Sequence, residues 1–271
     1  MKIKSILPYF GAKRTIAGNI VELFGDVRSY WEPFCGSLSV LFAKKPSANE
    51  TVNDLYGDVV NLARVIAGDG APAIYERLSR TLYSEEIFDE SAIRLAVETQ
   101  PFPDMERAYW FFINSWMGRN GVVGQKRSTC SFSKRYTTSG GCSAVRFTNA
   151  VESIPDWHYR LRNVTILNSD AFHLLPKIED KSGTLIYADP PYIKEGKTYR
   201  HGLTEAQHGE LALALRRFAR TRVVLSYYAD PSLSDLYPGW ETVPVAAKKR
   251  MAIRAGNGDV QDAPEVLLLN F

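Results

Sequence analysis

Short apolar runs alternate along this chain with longer segments in which apolar residues recur every three or four positions. The first pattern is typical of buried strands and the second of amphipathic helices. Strands are predicted at 29–32, 50–53, 164–168, 184–188, 223–228 and 266–270. Because strands and helices alternate, we predict an α/β fold with a largely parallel, doubly wound sheet.

The middle of the chain has a different pattern. Between about 70 and 117 the apolar residues follow helical spacing, and a stretch rich in Gly, Ser and Thr then extends to about 148. We therefore predict one α/β domain formed by residues 1–69 and 151–271, interrupted by a mainly helical insert at 70–150. Most aromatic residues of the insert, such as those at 109–112, are expected to lie in the core.

The composition indicates a sizeable core without a strong overall charge. The 271 residues are 45% hydrophobic and the formal net charge is +3, so a charged partner surface has to come from local clustering. Cys35, Cys130 and Cys142 lie far apart without Cys-x-x-Cys spacing, which argues against a disulfide framework or a thiolate metal site. The four histidines show no ligand spacing either. Because no apolar run approaches the length of a membrane span, we expect a soluble cytoplasmic protein with no metal and no membrane partner.

Positive charge is clustered in the insert. No acidic residue lies between Glu106 and Glu152, whereas seven lysines and arginines do. Cations beside aromatic rings on a glycine-rich backbone are typical of contacts with nucleic-acid phosphates and bases. The alternative interpretation is a solvated loop that happens to be basic. The candidate DNA contacts are Arg119, Asn120, Lys126, Arg127, Lys134 and Arg135.

The predicted strand at 184–188 ends in an Asp-Pro-Pro-Tyr motif at 189–192. The prolines prevent further sheet hydrogen bonding, and the carboxyl edge of such a sheet is where ligands bind. The Asp189 carboxylate and the Pro190 carbonyl form a pair of acceptors suited to an amino group. Accepting both hydrogens of a nucleobase amino group would free its delocalised lone pair, and Tyr192 would stack on the base. The alternative is a turn that only leads out of the strand.

Four further candidate positions follow predicted strands or lie at turns. The Gly36 turn falls short of the full Gly-x-Gly-x-x-Gly pattern, which favours a mononucleoside ligand over a dinucleotide. Asp54, about twenty residues later, is placed to accept ribose hydroxyls, although Asn53 or Asp54 would also suit a helix N-cap. Asp170 is placed to accept a purine amino group. Lys13 is either a partner for a carboxylate or phosphate or a solvated side chain.

In this order, the motifs resemble those of the Dam-like DNA adenine N6-methyltransferases of class α, especially the compact forms of bacteriophages and prophages. The resemblance covers nearly the whole chain, with the cofactor motif first, the insert in the middle and the catalytic motif last. One departure is Tyr9, where enterobacterial relatives carry Trp, and another is Ala12, where they carry Gly. The matching segments lie at 8–13, 32–37, 53–54, 168–172 and 189–192.

The resemblance implies a Rossmann-like methyltransferase fold whose insert recognises the DNA target. It implies an enzyme that transfers a methyl group from S-adenosyl-L-methionine to the N6 amino group of adenine in double-stranded DNA, after the adenine is flipped out of the helix. The implied catalytic residues are Asp189, Pro190, Pro191 and Tyr192. The implied cofactor-binding residues are Tyr9, Lys13, Glu32, Phe34, Gly36, Asp54, Asp170, Ala171 and Asp189.

Two other functions are compatible with the same motifs. One is a methyltransferase for an amino group in RNA or on a protein glutamine, where the motif usually begins with Asn. The other is a DNA-binding homologue without turnover. Asp189 and the basic insert favour DNA, and the intact Asp-Pro-Pro-Tyr motif favours an enzyme. We further expect a monomer or weak dimer in the cytoplasm of a bacterial host cell, with a restriction endonuclease as a candidate partner.

The sequence predicts that Arg127 and Lys134 contact DNA phosphates. Replacing either with Ala removes one such contact, so each variant is expected to bind DNA more weakly and with a smaller salt dependence. Dissociation constants measured at several salt concentrations test this. A slope equal to that of the unsubstituted protein would remove the phosphate assignment.

Overall fold

The computed structural model describes residues 3–9, 11, 13–97, 103–119, 123, 131–134, 136–137, 141–193, 200–245 and 264–271. Its centre is a seven-stranded sheet, accompanied by a separate two-stranded hairpin. The strands are β1 (Ser29–Glu32), β2 (Asn49–Asn53), β3 (Tyr136–Thr137), β4 (Gly141–Cys142), β5 (Thr165–Leu167), β6 (Thr184–Ala188), β7 (Arg222–Tyr228), β8 (Glu241–Pro244) and β9 (Glu265–Leu269).

The order of the sheet is β5-β2-β1-β6-β7-β9-β8. The strands from β5 to β7 pair in parallel, and β9 is antiparallel to both of its neighbours, β7 and β8. The chain first builds outwards from β1 through β2 and then crosses to the other side of β1 at β6. The strand order therefore reverses between β1 and β6, which is where open α/β sheets bind their ligands.

Helices cover the sheet and form most of the insert. The predicted capping box opens α10, since the Thr204 hydroxyl accepts a hydrogen bond from the Gln207 amide at 3.2 Å and the Gln207 side chain accepts one from the Thr204 amide at 2.9 Å. Short 3-10 helices lie at Lys13–Thr15 and Leu175–Lys177. The α-helices are α1 (Ala17–Glu22), α2 (Ser39–Ala43), α3 (Gly57–Ala67), α4 (Ala71–Ser79), α5 (Glu85–Leu95), α6 (Met105–Met117), α7 (Ser143–Val151), α8 (Ile154–Leu161), α9 (Ala171–Leu174), α10 (Glu205–Arg216) and α11 (Leu233–Leu236).

The six predicted strands are confirmed, and no end differs from the prediction by more than one residue. Strand β8 was not predicted. It is an edge strand in which only Val243 is partly buried, so its sequence carries no apolar run to reveal it. None of the helices within the described ranges is long and apolar enough to cross a membrane.

The insert is mainly helical, as predicted, with α4 to α7 and the β3–β4 hairpin. Its hydrophobic core is continuous with that of the α/β part, because Phe112 and Phe147 belong to the same buried cluster as Leu41. Trp116 in α6 also donates a hydrogen bond from Nε1 to the Ile6 carbonyl at 3.0 Å. The domain boundaries at 70 and 150 stay a prediction.

Ion pairs connect the elements that surround the sheet. Arg107 of α6 binds the Asp58 carboxylate of α3 through two nitrogens, one of them at 3.1 Å, so this arginine of the basic stretch is used inside the fold. Glu50 of β2 is almost fully buried and binds both Lys44 and Arg160. The Arg160 guanidinium and the Lys44 ammonium lower the pKa of Glu50 against the effect of its burial.

We predict that Glu50→Ala destabilises the fold by about 3–5 kcal/mol, because it leaves two buried cations without their carboxylate. Since the pKa of Glu50 is lowered in the folded state, its contribution is present near neutral pH and is lost as the pH falls through that pKa. Urea unfolding at pH 7 and at pH 4 measures both effects. Glu76→Ala, which removes an exposed ion pair with Arg80, is the control and should cost less than about 1 kcal/mol; an equal loss in both variants would contradict the prediction.

Candidate active site

A cavity of about 380 Å³ opens at the carboxyl ends of β1, β2, β5 and β6. It lies where the strand order reverses, because parallel strands bring the residues that follow them to one edge of the sheet. Every residue predicted from the resemblance to bind a cofactor lines this cavity: Tyr9, Lys13, Glu32, Phe34, Gly36, Asp54, Asp170, Ala171 and Asp189.

The turn after β1 forms the floor of the cavity. Gly36 has a φ of +45°, a conformation that side chains disfavour, and an added Cβ would lie 3.6 Å from the Tyr9 ring. The Gly36 amide donates a hydrogen bond to Asp54 Oδ2 at 2.8 Å. The positive φ of this turn therefore favours glycine, whereas the distance to Tyr9 would by itself allow a Cβ.

Asp54 is held by backbone amides at the end of β2. Its Oδ1 accepts from the Tyr56 amide and its Oδ2 from the Gly36 amide, both at 2.8 Å, while burial raises its pKa. Tyr56 precedes α3 without a side-chain cap, so neither Asn53 nor Asp54 has the alternative N-cap role. Asn53 instead donates to the carbonyls of Pro33 and Ser169, each at 2.9 Å, and so joins the ends of three strands.

Asp170 follows β5 and caps α9, with Oδ1 accepting from the Phe172 amide at 2.9 Å. Phe34 and Phe172 supply apolar lining. Glu32 at the end of β1 is only 2% exposed and accepts a hydrogen bond from the Tyr30 hydroxyl at 2.8 Å. Burial raises the pKa of Glu32 to about 8, so this carboxyl is mainly protonated at neutral pH.

Asp189 stands at the end of β6. Its Oδ1 accepts from Lys13 Nζ at 2.9 Å and from the Tyr192 hydroxyl at 3.3 Å, and Oδ2 has no hydrogen-bond partner among the described residues. Burial raises its pKa to about 6, with Lys13 lowering it and the nearby Glu265 raising it. A carboxylate oxygen without a partner at a cavity wall is available to a donor on a ligand.

The rest of the Asp-Pro-Pro-Tyr motif is less open to the cavity. Pro191 lines it, whereas Pro190 is buried and is not part of the lining. Tyr192 is 3% exposed, and its ring packs against Tyr228 at a centroid distance of 4.4 Å with the planes nearly perpendicular. Stacking of Tyr192 on a base, as predicted, therefore requires its ring to separate from a neighbouring side chain and become accessible.

The sequence of this chain also matches one known protein family. Residues 9–251 match the family of D12 class N6 adenine-specific DNA methyltransferases. The chain belongs to this family. It is therefore a DNA methyltransferase specific for the N6 position of adenine, which confirms the predicted family, fold class and enzyme activity.

Two individual proteins resemble this methyltransferase. Type II methyltransferase M.CviBI of Paramecium bursaria Chlorella virus NC1A is 20% identical over 254 residues, which cover 91% of each chain. The solved structure of SMU.472 in complex with SAH is similar over 93% of this chain, with 10% identity and a TM-score of 0.36. The methyltransferase spans about half, 51%, of the length of that second protein.

Several lining residues of the methyltransferase were not predicted. The segment before α10 contributes one wall, in which the Arg200 guanidinium lies 4.8 Å from the centre of the Tyr56 ring. Glu265, the first residue of β9, lies 3.1 Å from Lys13 Nζ. No sequence motif identifies these positions as part of the site. The capping box predicts that α10 begins directly after 200–203, and this is the one pattern in the sequence near that wall. The unpredicted residues of that wall are Arg200, His201, Gly202, Leu203 and Gln207.

The predicted DNA contacts of the methyltransferase are only partly placed. Arg119 is exposed, and Lys134 is 65% exposed and pairs with Glu85 at 2.6 Å. Asn120, Lys126, Arg127 and Arg135 lie outside the described residues. Within the described ranges, no group of three or more His, Cys, Asp or Glu side chains is placed to hold a metal ion.

We predict that the methylation rate falls on the acid side of pH 6. The raised pKa of Asp189, about 6, means that this carboxyl becomes protonated below that pH and loses acceptor capacity. The rate should therefore decrease about tenfold per pH unit below the pKa and be nearly level just above it. Initial rates between pH 5 and pH 8, with DNA binding measured in parallel, test this; a rate that stays level down to pH 5 would contradict the raised pKa.

Proposed function

We propose that this enzyme binds S-adenosyl-L-methionine in the cavity and methylates an adenine that is flipped out of duplex DNA into contact with Asp189. The observation that carries the proposal is the position of Asp189. Asp189 lines a cavity that is also lined by all the residues predicted to bind the cofactor, and its Oδ2 has no hydrogen-bond partner among the described residues. Binding and reaction would thus occur at one edge of the sheet.

The cavity fits an adenosine joined to an amino acid. Its volume of about 380 Å³ lies in the range of small-molecule sites, roughly 300–1,000 Å³. Asp54 keeps acceptor capacity for ribose hydroxyls because a carboxylate has more lone pairs than the two backbone amides occupy. Phe34 and Phe172 offer apolar contact to a base, and Asp170 an acceptor for its amino group. When bound, S-adenosyl-L-methionine would supply a methyl group on a positively charged sulfur, and that sulfur would keep the electron pair of the S–C bond that breaks.

Lys13 has a different environment from the one implied by the resemblance. Its ammonium is already balanced by Asp189 at 2.9 Å and Glu265 at 3.1 Å. A role at the carboxylate end of the cofactor requires Lys13 to leave one of these partners. We therefore assign Lys13 first to the orientation of Asp189.

The reaction requires the lone pair of the adenine amino nitrogen. Asp189 Oδ2 accepts one amino hydrogen. The Pro190 carbonyl accepts the other, which requires it to become accessible, because Pro190 is buried outside the cavity lining. The two acceptors favour tetrahedral geometry at nitrogen and make its lone pair available for the new N–C bond. The methylated nitrogen then carries one proton too many. Asp189, with a pKa of about 6, is suited to accept that proton.

The target amino group lies inside the double helix, so the adenine has to leave its stack at a cost of a few kcal/mol. Contacts to the DNA backbone offset this cost, and the insert is the candidate source because it has no acidic residue between Glu106 and Glu152. Tyr192, whose hydroxyl lies 3.3 Å from Asp189, is the ring proposed to stack on the base, and its contact with Tyr228 would have to open for this. A restriction endonuclease partner, the oligomeric state and the cellular location stay predictions.

Cofactor binding is tested by Asp54→Ala. The variant removes the acceptor assigned to the ribose hydroxyls and also the partner of the Gly36 amide, so the dissociation constant for S-adenosyl-L-methionine should rise about tenfold or more. Calorimetry on the protein without DNA measures it. Asp69→Ala changes an exposed aspartate outside the cavity lining and is the control; equal affinities in both variants would contradict the assignment.

The catalytic role is tested by Asp189→Ala. We expect no measurable methyl transfer to DNA from labelled cofactor, because the acceptor of the amino group is gone, whereas DNA binding in a gel-shift assay should change little. Retained transfer at the unsubstituted rate would disprove the mechanism. Loss of DNA binding together with activity would instead point to a structural role for Asp189.

A further inference from the structure

Glu265 reaches the catalytic aspartate from the far end of the chain. Glu265 is the first residue of β9, which runs antiparallel to β7. It therefore lies at the edge of the sheet where the parallel strands end. Glu265 is directly opposite Tyr228 in this pairing. The antiparallel strand thus adds a carboxylate beside Asp189 that no residue following a parallel strand provides.

Glu265 and Asp189 share the same two donors. Glu265 Oε1 accepts from the Tyr192 hydroxyl at 2.8 Å and lies 3.1 Å from Lys13 Nζ. Both donors also contact Asp189 Oδ1, at 3.3 Å and 2.9 Å respectively. The four groups form a closed ring, and the Glu265 side chain in it is only 13% exposed.

The ring leaves the two oxygens of Asp189 in different states. Oδ1 accepts from the Lys13 ammonium and shares the single hydrogen of the Tyr192 hydroxyl with Glu265, which is the nearer acceptor, whereas Oδ2 has no hydrogen-bond partner among the described residues. Lys13 and Tyr192 therefore both contact Glu265 Oε1 as well as Asp189 Oδ1. We infer that Glu265 is a positioning residue for methyl transfer, which holds Lys13 and Tyr192 against one oxygen of Asp189 and so leaves the other for the target amino group. This inference rests on the catalytic role proposed for Asp189.

A purely structural role for Glu265 would give a different result. The groups that face Asp189 are Lys13, Tyr192 and Glu265, with Glu32, Tyr187 and Tyr227 within electrostatic range. The three tyrosines are neutral near pH 7, and Glu32 is mainly protonated there. Lys13 and Glu265 are therefore the two groups in this set that carry charge, and removing the negative charge of Glu265 should lower the pKa of Asp189.

The test compares Glu265→Gln with Glu265→Ala. In the Gln variant the shape is kept and the charge is lost, so the pKa of the Asp189 carboxyl, followed by carbon NMR in the protein without cofactor or DNA, should fall by about one unit. The acid limb of the rate profile should move in the same direction. In the Ala variant both donors lose the Glu265 carboxylate as an acceptor, and kcat should fall roughly 100-fold with less than threefold change in KM for DNA and cofactor. Glu241→Gln on exposed β8 is the matched control.

An unshifted pKa of Asp189 in E265Q, or a kcat of E265A within twofold of the unsubstituted enzyme, would overturn the inference. Equal changes of kcat in E265A and E241Q would overturn it as well. If E265A does not fold, the NMR titration and rate profile of E265Q decide alone. A failure of the proposed function gives a different result. In that case the unsubstituted enzyme transfers no methyl group to DNA, whereas the NMR titration still measures the effect of Glu265 on the pKa of Asp189.

Discussion

The pairing of β1 with β2 on one side and β6 on the other is the constraint on which the site depends. Because all three strands are parallel, the residues that follow them emerge at one edge, and the reversal of strand order opens a gap there for a ligand. Asn53 reinforces this edge by bonding to the carbonyls of Pro33 and Ser169. The cavity is thus a consequence of sheet topology, and the side chains determine what it binds.

Carboxyl groups dominate the chemistry of this cavity. Burial raises the pKa values of Glu32, Asp54 and Asp189, and the first of them is mainly neutral at pH 7. The lowered dielectric strengthens each hydrogen bond that these groups accept. Lys13 balances the charge at the reacting end, where Asp189 and Glu265 approach each other. Such a site suits a ligand that brings amino groups, hydroxyls and positive charge.

The sequence was sufficient for the parallel part of the sheet and for the residues that follow its strands. Asp54, Asp170 and Asp189 each follow a predicted strand within a few residues, so their convergence followed from a general rule for α/β sheets. Glu265 could not be predicted as a site residue, because it precedes the apolar residues of β9 and only the antiparallel direction of that strand brings it to the site. The burial of Tyr192 and the pairing of Lys13 depend on side-chain packing between distant segments, which no local pattern encodes.

Methyl transfer to the N6 amino group of adenine can be measured on DNA made in cells. The experiment is single-molecule sequencing of plasmid DNA from a methylation-deficient host that expresses the protein, with the empty vector as control. We expect N6-methyladenine in a defined sequence context only when the protein is expressed. Unmodified adenines, together with folded protein that binds S-adenosyl-L-methionine, would contradict it and direct the search to RNA or protein substrates.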